Sequence, residues 1–273
     1  VENNLYGLDI DNRAAQLAYF AVMMKARQYD RRFLTRGIRP HIFAIVESNG
    51  LDPHTVNYFV GGDEGLKNDF SSLVHDLHDA KEYGSILRIS PVNFSALYTR
   101  LAAVEKEGSF DAFAVQSTVL PLVQVAEVLS QQYDVVVTNP PYMGSSGMSA
   151  KLSDYVKNNY PDSKSDLFAV FIERCGQMTG QNRYQAMITQ HAWMFLSSFE
   201  KLRKKLLRTI DIVSMVHLGP HAFEEIGGEV VQTTSFVLRN SHCEGNGVYF
   251  RLVDSKNKEK DFVDNIHGGG HAS

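Results

Sequence analysis

The 273-residue chain is 44% hydrophobic and carries a formal net charge of −4. This suits one large domain, or a domain with an insertion, and not a free-standing basic nucleic-acid-binding module. Its two cysteines, Cys175 and Cys243, form neither a metal-ligand pattern nor a disulfide framework, as expected in the reducing cytoplasm; no apolar run reads as long enough to span a bilayer, and no signal peptide is visible.

In chain order, NLYGLDID reads as a short strand ending in acids. The next twenty or so residues, from Asn12 to Arg32, have helical periodicity, with Leu17, Phe20, Ala21 and Met24 on one face and Arg27, Arg31 and Arg32 towards the end. HIFAIVES is a buried strand closed by the turn signal NGLDP. Strand, helix and strand make a parallel α/β unit. From about Tyr58 to Gln132 the texture becomes helical over a length no ordinary crossover needs, so a helical insertion is expected.

YDVVVTNPPYMGSS follows, from Tyr133 to Ser146. Val135 to Val137 is a β-branched run of the kind found in strands covered on both faces. Pro140 and Pro141 lack the N–H a ladder needs, and Asn139 before a proline is held extended. A strand simply ending in a loop would look the same. Beyond it, a loop and helix are expected, with Ser163 and Asp166 in capping-box spacing. RYQAMITQ reads as a strand and SSFEKLRKKLLRTI as a helix. DIVSMVHLG, GEVVQTTSFVLRN and GVYFRLVD read as strands, the first two forming an antiparallel hairpin around the loop PHAFEEIGG. The glycine-rich NIHGGGHAS reads as a flexible end; His267 and His271 have no expected helix to hold them as metal ligands, and no metal site is called.

An Asn-Pro-Pro-aromatic turn after an apolar strand, downstream of a strand ending in acids, resembles the amino-methyltransferases that use S-adenosylmethionine. More narrowly, LYGLDIDNRAAQLA, DVVVTNPPYMG, MITQHAWMFLSSFEKLRKKLL and HLGPHAFEEIGGEVVQTTSFVLRN occur in the order seen in adenine-specific (N6) DNA methyltransferases. NPPYMGSSGM with SDLFAVFIERC is most similar to the PglX type of BREX phage-defence systems. The resemblance covers most of the chain. It implies an α/β fold: a doubly wound, mostly parallel sheet with a C-terminal antiparallel hairpin and a helical insertion. On that reading residues 1–57 are the cofactor side, 58–132 the insertion, 133–254 the catalytic part and 255–273 a flexible tail.

The resemblance also implies roles. Asn139, Pro140, Pro141 and Tyr142 would form the catalytic turn. The exocyclic amine of adenine is a poor nucleophile because its lone pair is delocalised. Two fixed acceptors, the Asn139 side-chain oxygen and the Pro140 carbonyl, would favour a pyramidal nitrogen ready for in-line attack. Tyr142 would stack on a base flipped from the duplex, with Gly144 to Gly147 as a mobile lip. Phe223 would pack on the base from the other side, or is a core residue of the hairpin loop. Asp9 would bind the cofactor ribose, with Asp11 as competitor or helix cap, and Glu47 would lie near the cofactor adenine or be a solvated strand end. Lys201, Arg203, Lys204, Lys205 and Arg208 would touch phosphates or form a solvated helix face, and Trp193 reads as core.

One departure matters. The glycine-rich turn that cradles the methionine end of S-adenosylmethionine belongs ahead of Asp9. FVGGDEGLKN and FEEIGGEVV stand in the wrong places for it. The chain is therefore expected to be a fragment, inactive by itself. The expected partners are double-stranded DNA and further subunits of a phage-defence or restriction-modification system, with no membrane. Methyl transfer to a protein glutamine or an RNA base, and a non-catalytic DNA-docking role, are the alternatives.

Overall fold

The computed structural model describes residues 1–220, 222, 231–243 and 246–267. The chain divides into two compact units, Val1–Gln131 and Gln132–Ser273.

In the first unit, β1 (Tyr6–Asp9) and β2 (His41–Ala44) pair in parallel, with Tyr6 opposite His41 and Asp9 opposite Ala44. They are joined by α1 (Asn12–Tyr29), which starts where the Asp11 side chain accepts from the Arg13 N–H at 2.7 Å. Such a cap satisfies a donor that the helix itself leaves unpaired. The expected apolar face is not the buried one. Leu17, Phe20 and Met24 are exposed, while the inner stripe runs through Ala15, Tyr19, Val22 and Ala26. Two strands cover one stripe of a helix, and among the described residues nothing covers the second.

The helical stretch begins earlier than Tyr58, where the sequence read only a turn: it is α2 (Pro53–Val60), α3 (Glu64–Asp76), α4 (Ala80–Tyr83), α5 (Phe94–Glu105) and α6 (Phe110–Ser130). Asp52, Asp63, Asn93 and Ser109 cap four of these, each accepting a main-chain N–H in the first turn. Arg100 of α5 closes the other end of α2, donating to the Phe59 and Tyr58 carbonyls at 2.7 and 2.9 Å, beside Gly61 at φ 57°. The left-handed turn there is one that glycine takes without strain. Phe59, Phe70, Leu73, Leu97, Val115 and Val119 are fully buried in this core. Contrary to the sequence reading, α6 does have the length and hydropathy of a membrane-crossing helix. It is built as a core helix, with Val115, Val119, Leu122 and Val123 among its buried residues.

The second unit is a five-stranded mixed sheet in the order β3-β4-β6-β5-β7, made of β3 (Tyr133–Thr138), β4 (Thr179–Gln190), β5 (Asp211–Gly219), β6 (Thr233–Arg239) and β7 (Val248–Arg251). β3 and β4 are parallel, as are β5 and β7; β6 is antiparallel to both its neighbours. Between β3 and β4 come α7 (Ala150–Asn159) and α8 (Leu167–Met178); α9 (Glu200–Thr209) precedes β5. Met187, Phe236 and Met215 stand side by side across three strands and pack under Phe168, Ala169 and Ile172 of α8 and Leu202 and Leu206 of α9.

Only that face of β3 is covered. Val136 packs on the core, but Val135 and Val137 are 55% and 71% exposed. Among the described residues β3 pairs only with β4. The expectation of a strand covered on both faces therefore fails: α8 and α9 lie on the same side. The capping expectation also changes. Asp166 itself caps α8, accepting from the Phe168 N–H, while the Ser163 hydroxyl donates to Glu173 at 2.7 Å. Within the stretch read as a flexible tail, Lys258–His267 form α10, where Phe262 meets Phe250 edge-on at 5.1 Å.

Candidate active site

The last paired residue of β3 is Thr138, opposite Met187, so Asn139 is the first residue beyond the carboxyl end of the ladder. Its side chain is exposed and makes no hydrogen bond among the described residues. Pro140 is buried and Pro141 exposed. The prolines fix two consecutive φ angles and offer no N–H that would extend the sheet. Tyr142 then turns towards the core, half-buried, with Phe168 edge-on at 6.2 Å. Its hydroxyl is buried without a partner among the described residues, and burial raises its pKa.

The stretch expected as a mobile lip is tied down. The Met143 N–H donates to Asp166 Oδ1 at 3.0 Å, and the Met143 carbonyl accepts from the Leu167 N–H at 3.0 Å. Ser145 N–H donates to the Ser165 carbonyl at 3.0 Å. Sequence reasoning saw Asp166 only as part of a helix cap. Its bond to a segment 23 residues earlier left no local signal.

Asp9, Asp11 and Glu47 belong to the other unit and are described there. Asp9 ends β1, and its Oδ1 accepts the Asp11 N–H at 2.8 Å. Asp11 is taken up as the cap of α1 and by Arg13, whose guanidinium holds its carboxyl below the usual range. Asp9 Oδ2 has no such partner among the described residues. Glu47 is exposed three residues past the end of β2.

Phe223 lies outside the described residues. The base of its loop is described, and it holds a pair that the sequence reading missed. His191 Nδ1 and His217 Nε2 are 2.8 Å apart, and Phe195 packs on both rings at 5.3 and 5.8 Å. The main-chain N–H of His191 donates to the Gln232 carbonyl at 2.9 Å. Burial lowers the pKa of both imidazoles, and for His217 the neighbouring His191 and Arg251 lower it further. Trp193 is buried, donating to Thr189 Oγ1 at 3.2 Å, as a core residue should.

The basic helix is largely occupied within the fold. Arg203 donates to the Trp193 and Leu196 carbonyls at 2.8 and 2.6 Å; Lys204 pairs with Glu200 and Lys205 with Glu173. Lys201 and Arg208 have no such partner among the described residues.

The sequence profile of a family described as Eco57I restriction-modification methylase matches residues 3–223. An adenine-specific methyltransferase, BrxX, of Escherichia coli O9:H4 (strain HS) is 40% identical over 95% of this chain and 24% of its own length. The adenine-specific methyltransferase PglX of Lacticaseibacillus casei (strain Zhang) is 43% identical over 95% of this chain and 22% of its own length. The chain thus spans about a quarter of the curated relatives it matches. Among solved structures, a nuclease-deletion mutant of the Type ISP restriction-modification enzyme LlaGI with a DNA substrate mimic aligns with 96% of this chain and 26% of that one, at 14% identity and a TM-score of 0.42. A match running from the acid-ended strand through the Asn-Pro-Pro-Tyr turn to the loop after β5 shows the family: this chain belongs to the Eco57I restriction-modification methylases.

Proposed function

We propose that, in the full-length protein, these residues transfer a methyl group to the exocyclic amine of a flipped adenine in DNA. The observation that carries this is the Asn139–Tyr142 turn at the carboxyl end of β3, with the Asn139 side chain exposed and unengaged. Two acceptors, the Asn139 oxygen and the Pro140 carbonyl, would take the two N–H groups of the amine and direct its lone pair. The prolines keep that geometry without reorganisation at the moment of reaction. Tyr142 would present its ring to the base, held from behind by Phe168. No general base is needed before attack, because the amine proton becomes acidic once the methyl is attached.

The methyl donor would be S-adenosylmethionine, which when bound supplies an electrophilic methyl on sulfur. The residues present fit its ribose end. Asp9 has one oxygen committed to the Asp11 N–H and the other without a partner among the described residues, at the strand end where doubly wound folds bind nucleotides. Glu47 is the second candidate on that side. Lys201 and Arg208 are the cations of α9 free to meet phosphates. Curated relatives bearing the name adenine-specific methyltransferase support the choice of acceptor. The test is product analysis. Full-length protein and labelled S-adenosylmethionine should leave label in N6-methyladenine of a duplex. Label found only in a protein glutamine or in RNA would move the function to those acceptors.

A further inference from the structure

We propose that Asp166 is a positioning residue that aims the Asn139–Tyr142 turn at the acceptor amine; the inference rests on the methyltransferase reading above. Prolines make a turn stiff, but stiffness alone does not fix its direction. The direction is set just after the turn. Met143 is held through both its main-chain groups, by Asp166 Oδ1 and by the Leu167 N–H, each at 3.0 Å. Gly144 stands opposite Asp166 in an antiparallel bridge.

The same Asp166 Oδ1 also accepts the Phe168 N–H at 3.3 Å, at the first turn of α8. One oxygen therefore couples the turn to a helix whose Phe168, Ala169, Ile172 and Cys175 are buried in the core. Asp166 Oδ2 has no partner among the described residues. Burial raises the carboxyl pKa, opposed by the amides of Phe168, Met143 and Leu167. A half-buried carboxylate that accepts the main-chain amides of both Met143 and Phe168 is a device for holding geometry, and a displacement of about 1 Å can cost about 100-fold in rate.

The experiment uses full-length protein, single-turnover transfer to an adenine-containing duplex, calorimetric titration with S-adenosylmethionine, thermal melting, and hydrogen exchange of the 142–147 segment. Asp166→Asn keeps an oxygen acceptor in place and should transfer within about threefold of wild type. Asp166→Ser keeps a helix cap but is one atom too short to reach Met143 as well. Its rate should fall about 10–100-fold, with cofactor affinity within about threefold and faster exchange over 142–147. Asn93→Ala, which removes the cap of α5, should leave the rate unchanged. If Asp166→Ser does not fold, Asp166→Glu takes its place: the longer side chain should displace Met143 and slow transfer where Asp166→Asn does not. A wild-type rate in the Ser or Glu variant, equal losses in Asn and Ser, or a loss confined to cofactor affinity would each overturn the proposal. Asn139→Ala, run alongside, separates the two readings. Active wild type, impaired Asn139→Ala and unaffected Asp166→Ser sink this inference alone; wild type that methylates no adenine sinks both.

Discussion

Tyr142 shows most plainly what the proposed role would cost the fold. Its ring is packed against Phe168, while its hydroxyl is buried with no partner among the described residues. An unmet buried hydroxyl costs about 1–3 kcal/mol. Tyr142→Phe should therefore be neutral or stabilising by about 1 kcal/mol in urea unfolding while preserving the flat ring; a clear loss of stability would show that the hydroxyl has a partner after all. His191 and His217 make a second prediction at this scale. Both have folded pKa values below the ordinary 6.5, so the unfolded chain binds protons more readily. Their contribution is present above that value and is lost as pH falls below it. The urea midpoint should drop between about pH 7 and pH 5, and drop less in His191→Gln/His217→Gln. An equal drop in both proteins would remove the pair from the account. The turn proposed as catalytic stands out in the sequence because Asn-Pro-Pro-Tyr is contiguous. The histidine pair does not, because 26 residues separate its members and they meet only because β6 pairs with both β4 and β5.

Elements were legible where periodicity and capping agreed. The strands arise in the expected chain order, and Asp63 starts a helix as its chemistry requires, but α2, α7 and α10 form where a turn, a loop and a flexible tail were read. What could not be read is which face an element turns inward. Leu17, Phe20 and Met24 have helical spacing and are exposed, and Val135 and Val137 are bare on a strand that looked buried on both sides. Spacing reports a stripe; only neighbouring elements decide whether it is covered. Ser163 was read as a capping residue, yet it ties the loop before α8 to Glu173, which also binds Lys205 of α9 at 2.6 Å. Ser163 is fully buried and Glu173 nearly so. Ser163→Ala should cost about 1.5–3 kcal/mol, the range for a hydrogen bond to a charged group. A change below about 0.5 kcal/mol in urea unfolding would mean that the Lys205 bond alone satisfies the carboxylate.

At the scale of the molecule, the family and the α/β class were legible because four motifs occur in one order along the chain. That Val1–Gln131 forms one compact unit had no comparable signal, since the change of texture near Tyr58 had divided it in two. The central claim is that Asn139 activates an adenine amine and does not bind cofactor. It is tested most directly by single-turnover methyl transfer with full-length wild type and Asn139→Ala, cofactor affinity being measured separately. Loss of one preorganised polar group predicts a rate lower by about 10²–10³-fold, with affinity for S-adenosylmethionine nearly unchanged. A wild-type rate in Asn139→Ala, or a defect explained wholly by weaker cofactor binding, would contradict the account.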